Sequence, residues 1–430
     1  MSVGVPMQNV IKVLQERGFI DAMSSDELIE IAAKPLKVYC GFDPTGDSLH
    51  IGHMVALMGL AWFQRYGHTP VAIVGGATAM IGDPSGKSNE RPFLTEDEIA
   101  NNLKGITRNL EQLLDFSKSD AAPLILNNFD WFKEFSFVSF LRDIGKYFRI
   151  GPMLSKDSVK LRMSSDEGMS FTEFSYQLLQ GYDFLHLYNH HGVTLQIGGS
   201  DQWGNITAGT DLIRKVNGRQ AYGITFPLLT RSDGQKFGKS EKGAIWLSPE
   251  KCSPYDFYQY LIRVPDADAI KLMRLLTFIE MDEIRAYESM MQQGDYTQNT
   301  VQKRLAEEVT RLVHGQSGLD IALKVTKAAA PGSETILDAE VLESISEDMA
   351  SFNLPEEAVV GKKLVDVMVQ VGLQLSKGEA RRLIRNGGVY LNNEKISDEN
   401  GTILQNNLID GRLLLLAAGK KNKILIRIER

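Results

Sequence analysis

The first half of the chain alternates short apolar runs with stretches in which apolar residues recur every three or four positions. Apolar, β-branched and aromatic residues predict buried strands at residues 36–42, 71–74 and 193–197. The first strand ends at Asp43-Pro44, because proline cannot donate a hydrogen bond to a sheet. Turn-forming residues follow, and helical spacing then extends from Ile51 to Tyr66. This alternation predicts an α/β domain with a Rossmann-like, doubly wound parallel sheet.

The second half of the chain has a different pattern. Apolar residues at helical spacing predict a helical region from 253 to about 327, in which Gly315 ends one helix. Residues 331–357 are acidic and poor in aromatic side chains, which is typical of a linker, and a small α+β unit follows them. The predicted divisions are an α/β domain at 1–235, a helical domain at 236–330, a linker at 331–357 and a C-terminal domain at 358–430.

Length, charge and cysteine content narrow the class of protein. The 430 residues are enough for two or three domains, and the net charge of -7 argues against a protein that coats nucleic acid indiscriminately. The two cysteines, Cys40 and Cys252, offer neither a disulfide framework nor zinc-site spacing. No apolar run approaches the roughly 20 residues that span a bilayer, and residues 1–20 lack a signal-peptide core. We therefore expect a cytoplasmic protein with no bound metal, membrane partner or DNA partner.

The predicted strand, turn and helix between residues 39 and 53 form the first candidate site. This order places a helix N-terminus beside the carboxyl end of a strand, where open α/β sheets bind ligands. His50 and His53 are predicted to share one face of the first helical turn, and Gly52 between them gives a ligand access to the backbone. Two imidazole donors there could hold a polyphosphate, and a pair of surface histidines is the alternative.

Two motifs resemble the signatures of class I aminoacyl-tRNA synthetases. His-Ile-Gly-His at 50–53 resembles the first signature, and the preceding Tyr-Cys-Gly-Phe-Asp-Pro-Thr resembles its tyrosyl-tRNA synthetase form. The segment 236–240, Lys-Phe-Gly-Lys-Ser, resembles the tyrosyl form of the second signature, although a lysine-bearing surface loop is the alternative. Paired lysines in a glycine-flanked loop suit contact with a triphosphate while pyrophosphate leaves. The resemblance implies as catalytic residues Thr45, His50, His53, Lys236, Lys239 and Ser240.

Residues 171–183 predict a helix that presents Tyr176, Gln180 and Asp183 on one face. The resemblance assigns Tyr176 and Gln180 to the amino group of tyrosine, and Asp183, with Tyr39, to its phenol hydroxyl. The resemblance also implies that Asp83 binds the α-ammonium group of tyrosine, because a buried ammonium group needs a carboxylate to balance its positive charge. Asp83 lies in a Gly-rich loop, 82–88, that has three rather than four residues between its glycines and so fails the P-loop pattern. A solvated helix face and a simple turn aspartate are the alternatives.

The strand at 193–197 leads into the glycine-rich segment 198–205. Glycine allows a ribose or base to approach the backbone, and an aspartate can accept from ribose hydroxyls, although a capped glycine turn is the alternative. The resemblance places Gln196 and Gln202 along the amino-acid and carboxyl region. It implies as ATP and adenylate contacts Cys40, Gly41, Asp43, Gly52, Gly199, Asp201 and Lys239.

Two further regions suggest partners. The aromatic-rich residues 128–163 are most simply a core, and the resemblance implies an insertion that carries the contact of a homodimer. Lys and Arg outnumber Asp and Glu between 362 and 395, where a helix at 376–384 and the following 386–392 resemble an S4 RNA-binding module. A solvated helix face is the alternative. The residues expected to contact RNA phosphates are Lys377, Arg381, Arg382 and Arg385.

The resemblance covers essentially the whole chain and implies a bacterial-type enzyme of the tyrosyl subgroup. Its expected substrates are L-tyrosine, ATP with Mg2+, and tRNA(Tyr), and no bound prosthetic group is expected. A tryptophanyl enzyme would share the fold, but the pair Tyr39 and Asp183 indicates a phenol. A non-catalytic RNA-binding protein on the same fold would be expected to have lost one signature, whereas both are intact.

Overall fold

The computed structural model describes residues 9–85, 94–164, 168–240, 243–293, 296–328, 337–346, 350–419 and 422–429. These residues form thirteen strands and eighteen α-helices. The strands are β1 (Ala22–Met23), β2 (Lys37–Phe42), β3 (Thr69–Val74), β4 (Leu124–Asn127), β5 (Leu195–Gly199), β6 (Tyr222–Phe226), β7 (Lys239–Ser240), β8 (Gly243–Ala244), β9 (Ala350–Pro355), β10 (Val389–Leu391), β11 (Glu394–Lys395), β12 (Leu413–Ala418) and β13 (Asn422–Glu429).

The helices are α1 (Val10–Glu16), α2 (Leu28–Ile31), α3 (Met54–Arg65), α4 (Gly76–Ala79), α5 (Glu96–Leu113), α6 (Phe129–Phe132), α7 (Phe137–Asp143), α8 (Ile150–Leu154), α9 (Asp157–Met163), α10 (Phe171–His191), α11 (Trp203–Asn217), α12 (Pro254–Ile262), α13 (Asp266–Leu276), α14 (Met281–Gln293), α15 (Thr300–Ala328), α16 (Ala339–Ser346), α17 (Leu364–Gln370) and α18 (Lys377–Arg385). The chain divides into two units, Met1–Cys252 with Tyr260–Val313, and Ser253–Gln259 with His314–Arg430.

The first unit is built on a six-stranded sheet with the order β1-β6-β5-β2-β3-β4. The five strands from β6 to β4 are parallel, and β1 pairs antiparallel with β6 at one edge. Helices α10 and α11 pack on the sheet through a core that includes Phe184, Leu212 and Val71. On α3, Gly59 leaves room for the Phe226 ring, which a Cβ at this position would meet at 2.2 Å. The arrangement confirms the predicted Rossmann-like α/β fold.

The predicted elements around the first signature are confirmed except at its start. Strand β2 covers the predicted run, and α3 begins after a 3-10 turn at Ile51–His53. The prediction that His50 lies on the first helical turn is wrong, because its backbone is extended at φ -118° and ψ 167°. An antiparallel bridge between His50 and Trp246 holds this conformation, and Ile51 N–H donates to the carbonyl of Ile245 at 2.8 Å.

The second unit contains a five-stranded sheet with the order β11-β10-β12-β13-β9, in which only β13 and β9 are parallel among the described pairs. Alternate residues of β12 enter different cores, because successive side chains of a strand point to opposite faces. Leu414 and Leu416 belong to the core beneath α17 and α18. Leu413 and Leu415 belong to a second core with Val325 of α15. The sheet is therefore covered on both faces.

The linker prediction is wrong over the described part of residues 331–357. This range contains α16 and β9, and β9 adds a parallel strand to the C-terminal sheet. Residues 331–336 and 347–349 lie outside the described part. The predicted helix end at Gly315 is confirmed, since its φ of 71° interrupts α15. The other predicted domain boundaries stay predictions. No helix within the described ranges has the length and apolar character needed to cross a membrane.

Candidate active site

A cavity of about 380 Å³ lies at the carboxyl ends of β2 and β5, between the two signature segments. It brings together residues that are far apart in the sequence. The predicted residues that line it are Tyr39, Cys40, Gly41, Asp43, Thr45, His50, Gly52, His53, Asp83, Tyr176, Gln180, Asp183, Gln196, Gly199, Asp201, Gln202, Lys236 and Lys239. The side chain of Ser240 lies outside the described part of the structure.

The buried side of the cavity contains a carboxylate whose two oxygens already accept hydrogen bonds. Asp183 is 2 % exposed; its Oδ1 accepts from Trp131 Nε1 at 2.9 Å, and its Oδ2 accepts from Asn128 Nδ2 at 3.1 Å. Burial raises the pKa of Asp183 to about 8, although these two hydrogen bonds oppose the shift. Burial, and next the charge of Asp183, raise the pKa of Tyr39 well above its ordinary value, so Tyr39 keeps its proton. A neutral hydroxyl and a carboxyl group thus lie near each other.

A second group of polar side chains offers oxygen acceptors. The side-chain oxygens Oε1 of Gln180 and Gln196 are buried and have no hydrogen-bond partner within the described residues. Asp83 is 9 % exposed, and its Oδ2 accepts from Gln202 Nε2 at 2.7 Å. Its Oδ1 accepts from the backbone N–H of Ser85 at 3.0 Å. Buried amide oxygens that line the same cavity as a carboxylate can accept hydrogen bonds from an ammonium group. Residues 86–88 of the loop after Asp83 lie outside the described part.

Asp43 links these two groups. Its Oδ2 accepts from the Tyr176 hydroxyl at 2.7 Å, and its Oδ1 accepts from Thr78 Oγ1 at 2.7 Å. Asn128 Nδ2 also donates to Thr78 Oγ1 at 3.0 Å, so a continuous network joins Asp43 to Asp183. Burial, and next the charge of Asp43, raise the pKa of Tyr176 well above its ordinary value. Since the Tyr176 proton is directed at Asp43, its hydroxyl oxygen is left to accept from a ligand.

The hydrogen bonds of His50 and His53 fix which ring nitrogen carries the hydrogen. His50 Nδ1 accepts from Gly52 N–H at 3.1 Å, and His53 Nδ1 accepts from His50 N–H at 3.2 Å. The two ring centroids are 4.0 Å apart. A backbone N–H can only donate, so each Nδ1 is the unprotonated nitrogen and each neutral ring carries its hydrogen on Nε2. Two Nε2–H donors therefore belong to the wall of the cavity.

The second signature lies against the first. Phe237 is 5 % exposed, whereas Lys236 and Lys239 on either side of the Phe237-Gly238 pair are exposed and line the cavity. Gly238 has a φ of 92°, and a Cβ there would lie 2.7 Å from Ile51 Cγ2. This close approach requires glycine. The two ammonium groups add positive charge to the exposed side of the cavity, which suits a polyphosphate.

The four predicted RNA-contacting residues all lie on or at the start of α18 in the second unit. Lys377 pairs with Asp366 at 2.9 Å, and Arg385 pairs with Glu399 at 2.7 Å. Arg381 still interacts electrostatically with the carboxylates of Asp366 and Glu399, whose pKa values it helps to lower. Neither Arg381 nor Arg382 is engaged in a direct ion pair among the described residues, whereas Lys377 and Arg385 are.

Sequence reasoning missed the side chains that hold the candidate pocket residues. Asn128 and Trp131 bind Asp183, and Thr78 binds Asp43. Asn128 and Trp131 lie in the aromatic-rich region that was interpreted as core or dimer contact. Their partner is more than 50 residues away, so no local spacing pointed to it. A polar Asn and an indole N–H in an otherwise apolar region were the available signal, because such groups need buried partners.

Known proteins share both the fold and the sequence of this chain. A family model described as "tRNA synthetases class I (W and Y)" matches residues 32–329, and one described as "Tyrosine--tRNA ligase SYY-like C-terminal domain" matches residues 341–426. A structure titled as a C-terminally truncated mitochondrial tyrosyl-tRNA synthetase from Aspergillus nidulans has a TM-score of 0.65 and 31% identity, and the match covers 73% of this chain and 92% of that chain.

Two curated relatives match over nearly the full length. A tyrosine--tRNA ligase from Protochlamydia amoebophila (strain UWE25) is 67% identical over 422 residues, which cover 98% of this chain and 99% of the relative. A chloroplastic/mitochondrial tyrosine--tRNA ligase from Arabidopsis thaliana is 51% identical over 427 residues, which cover 98% of this chain and 84% of the relative. The chain therefore belongs to the tyrosyl-tRNA synthetase family of class I aminoacyl-tRNA synthetases.

Proposed function

We propose that the cavity is where L-tyrosine and ATP react to form tyrosyl-adenylate and pyrophosphate, before the tyrosyl group is transferred to the 3'-terminal ribose of tRNA(Tyr). One observation carries this proposal: the cavity joins a buried carboxyl group, Asp183, to exposed lysines of the second signature. The buried side suits a phenol and the exposed side suits a triphosphate. An amino acid that extends between them has its carboxylate available to the α-phosphate of ATP.

The tyrosine pocket recognises both ends of the amino acid. The phenol hydroxyl binds Asp183 and Tyr39, where phenylalanine would leave buried polar groups without a partner. The α-ammonium group donates to Gln180, to Tyr176 and to the carboxylate of Asp83. Gln196 and Gln202 complete the wall. The proposal is supported by the buried, partnerless Oε1 atoms of Gln180 and Gln196, which an ammonium group would satisfy.

Adenylate formation depends on electrostatic stabilisation and on positioning. The carboxylate oxygen of tyrosine attacks the α-phosphorus in line as the bond to pyrophosphate breaks, so no side chain becomes covalently attached. The Nε2–H groups of His50 and His53, with the Thr45 hydroxyl, stabilise the negative charge on the pentacoordinate phosphorus. Lys236, Lys239 and Ser240 interact with the departing pyrophosphate. Magnesium accompanies ATP as part of the substrate, and the enzyme uses no prosthetic group.

The nucleotide lies along the glycine-rich ends of β2 and β5. The backbone at Cys40, Gly41, Gly52 and Gly199 permits close approach of the adenosine and α-phosphate. Asp201 accepts from the ribose hydroxyls. Asp43 contributes negative charge and also holds the Tyr176 hydroxyl, to which it is bonded at 2.7 Å.

We also propose that the enzyme is a cytoplasmic homodimer that binds tRNA through α18. The dimer proposal is supported by exposed apolar side chains in residues 128–163, among them Phe137 at 69% and Val138 at 71%. Arg381 and Arg382 contact RNA phosphates most strongly, since they are not neutralised by ion pairs within the described residues, and Lys377 and Arg385 add weaker contacts. The low cysteine content suits a reducing compartment.

The experiment that tests the function is amino-acid-dependent exchange of labelled pyrophosphate into ATP, with tyrosine, phenylalanine and tryptophan in parallel. We expect exchange with tyrosine alone. Exchange with tryptophan would keep the reaction and overturn the pocket assignment. A folded protein that binds RNA but exchanges with no amino acid would overturn the catalytic proposal. Asp183→Ala tests the phenol contact directly, because tyrosine and phenylalanine should then differ far less.

A further inference from the structure

The lysines of the second signature belong to a hairpin that is tied to the helices following it. Arg231 N–H donates to the carbonyl of Gln235 at 2.8 Å, and Phe237 N–H donates to the carbonyl of Leu229 at 3.0 Å. Lys236 pairs with Thr230 in an antiparallel bridge, and Lys239 in β7 pairs with Ala244 in β8. Ile245 N–H also donates to the carbonyl of Gly238 at 3.0 Å. Side-chain contacts from the following helices add to these backbone pairings.

Two helical side chains supply such contacts. At the turn, the carboxylate of Asp268 on α13 accepts from Ser232 N–H at 2.9 Å and 3.2 Å. Between the two lysines, the Tyr260 hydroxyl on α12 accepts from Gly238 N–H at 2.8 Å. The ring of Tyr260 also packs on Phe237, with centroids 5.3 Å apart and planes at 59°. The hydroxyl therefore contacts the backbone at the centre of the signature.

The burial and backbone conformation of Gly238 explain why loss of the hydrogen bond from its N–H to Tyr260 would affect the position of Lys239. Gly238 is buried, its φ is 92°, and it lies so close to Ile51 that a Cβ would be 2.7 Å from Ile51 Cγ2. A buried N–H without an acceptor is unfavourable, so loss of the Tyr260 hydroxyl favours conformations in which Gly238 turns toward water. Such a rotation would move Lys239, the next residue, relative to the cavity.

We propose that Tyr260 is a positioning residue that holds Lys236 and Lys239 in their catalytic orientation through the amide of Gly238. This rests on the proposed function, in which the two lysines stabilise the departing pyrophosphate. Tyr260 does not line the cavity among the described residues, so its effect passes through the loop. It should influence the chemical step without changing how tyrosine itself is bound.

Tyr260→Phe is the test, because it keeps the ring on Phe237 and removes only the acceptor. The assay is tyrosine-dependent pyrophosphate exchange, normalised by active-site titration so that only folded enzyme counts. We expect kcat to fall by roughly fivefold to 150-fold, the consequence of one unsatisfied buried donor, while the KM for tyrosine stays constant. Tyr222→Phe is the matched control, because that hydroxyl donates to Glu27 at 3.2 Å, in contact with neither the hairpin nor α12 and α13 among the described hydrogen bonds, and Tyr222 does not line the cavity. It should leave both constants unchanged.

A double-mutant cycle separates positioning from a general loss of stability. If Tyr260 acts through the lysines, Tyr260→Phe should have little further effect once Lys239→Ala is present. Fully additive effects would overturn the proposal, as would an unchanged kcat in Tyr260→Phe. If Lys239→Ala itself exchanges at the parent rate, the proposed function fails instead. Hydrogen–deuterium exchange of the unaltered protein gives a test without variants: slow exchange at Gly238 is expected, and rapid exchange there contradicts the contact.

Discussion

Replacement of Trp131 with phenylalanine should reduce the preference for tyrosine over phenylalanine. Trp131 Nε1–H donates to Asp183 Oδ1 at 2.9 Å, and the indole ring stacks on His186 with centroids 4.3 Å apart and planes at 16°. A phenyl ring retains much of the stacking and loses the donor. Among the described residues, Asp183 then keeps the hydrogen bond from Asn128 at 3.1 Å and no other. Its carboxyl group is less firmly oriented toward the cavity.

The magnitude follows from the kind of hydrogen bond that is removed. An intramolecular hydrogen bond contributes about 0.5 to 1.5 kcal/mol, and the raised pKa of Asp183 keeps its carboxyl group from being a fully charged acceptor. Phenylalanine forms no hydrogen bond with Asp183, so the loss falls on tyrosine alone. We expect the ratio of kcat/KM for tyrosine to that for phenylalanine to fall about tenfold, which corresponds to about 1.4 kcal/mol. The pKa of Asp183, about 8, should rise further, because the Trp131 bond is one of the two that lower it.

The assay is pyrophosphate exchange with each amino acid at a series of pH values. Trp62→Phe is the control: Trp62 is 5 % exposed, and its Nε1 has no hydrogen-bond partner within the described residues. It reports the general cost of losing a buried indole without touching the pocket. Equal specificity ratios in Trp131→Phe and the parent would refute the reasoning, because the Trp131 donor would then have no part in phenol recognition.

Four further outcomes are expected. Lys239→Ala should slow adenylate formation by about 2 to 4 kcal/mol of transition-state stabilisation, and an unchanged single-turnover rate would contradict its role. Tyr39→Phe should cost about 1 kcal/mol of tyrosine preference, measured as the kcat/KM ratio. Charge reversal of Arg381 and Arg382 to Glu should weaken tRNA charging and its salt dependence but spare exchange. The raised pKa of Asp183 means that the folded protein holds a proton that the unfolded chain releases above pH near 3.8. As the pH rises from there to about 8, the unfolding free energy should therefore fall by up to about 1.4 kcal/mol per pH unit. Asp183→Asn should flatten this slope in denaturant unfolding measured across the same pH range.

The sequence was sufficient to predict which residues meet at the cavity, because they occur in short motifs at strand ends. Asp43 and Thr45 follow β2, and Gly199 and Asp201 lie at the end of β5. Parallel strands bring their carboxyl ends to one edge of a sheet, so motifs that are distant along the chain become neighbours. The resemblance to the class I signatures therefore named the lining residues, and the topology of the fold explains why they meet, while their individual roles stay predictions.

The sequence was not sufficient where a conformation depends on a distant partner. His50 is extended because it pairs with Trp246, almost 200 residues later, and no local pattern encodes that bridge. The acidic segment before residue 357 resembles a linker in composition, yet β9 forms a strand because β13 offers it an edge. Secondary-structure propensity is a property of one segment, whereas strand pairing also depends on which distant strand lies beside that segment in the folded chain.

The pocket contains polar groups whose burial is unfavourable unless they form hydrogen bonds. Desolvation raises the pKa of Asp183, and the Oε1 atoms of Gln180 and Gln196 are buried without donors in the described structure. Apolar side chains at these positions would stabilise an empty fold, since each buried acceptor without a donor costs about 1 to 3 kcal/mol. They would also accept phenylalanine as readily as tyrosine. In the proposed function, a phenol and an ammonium group would supply the hydrogen-bond partners that these polar side chains lack among the described residues, which is a reason for the pocket to contain polar rather than apolar side chains.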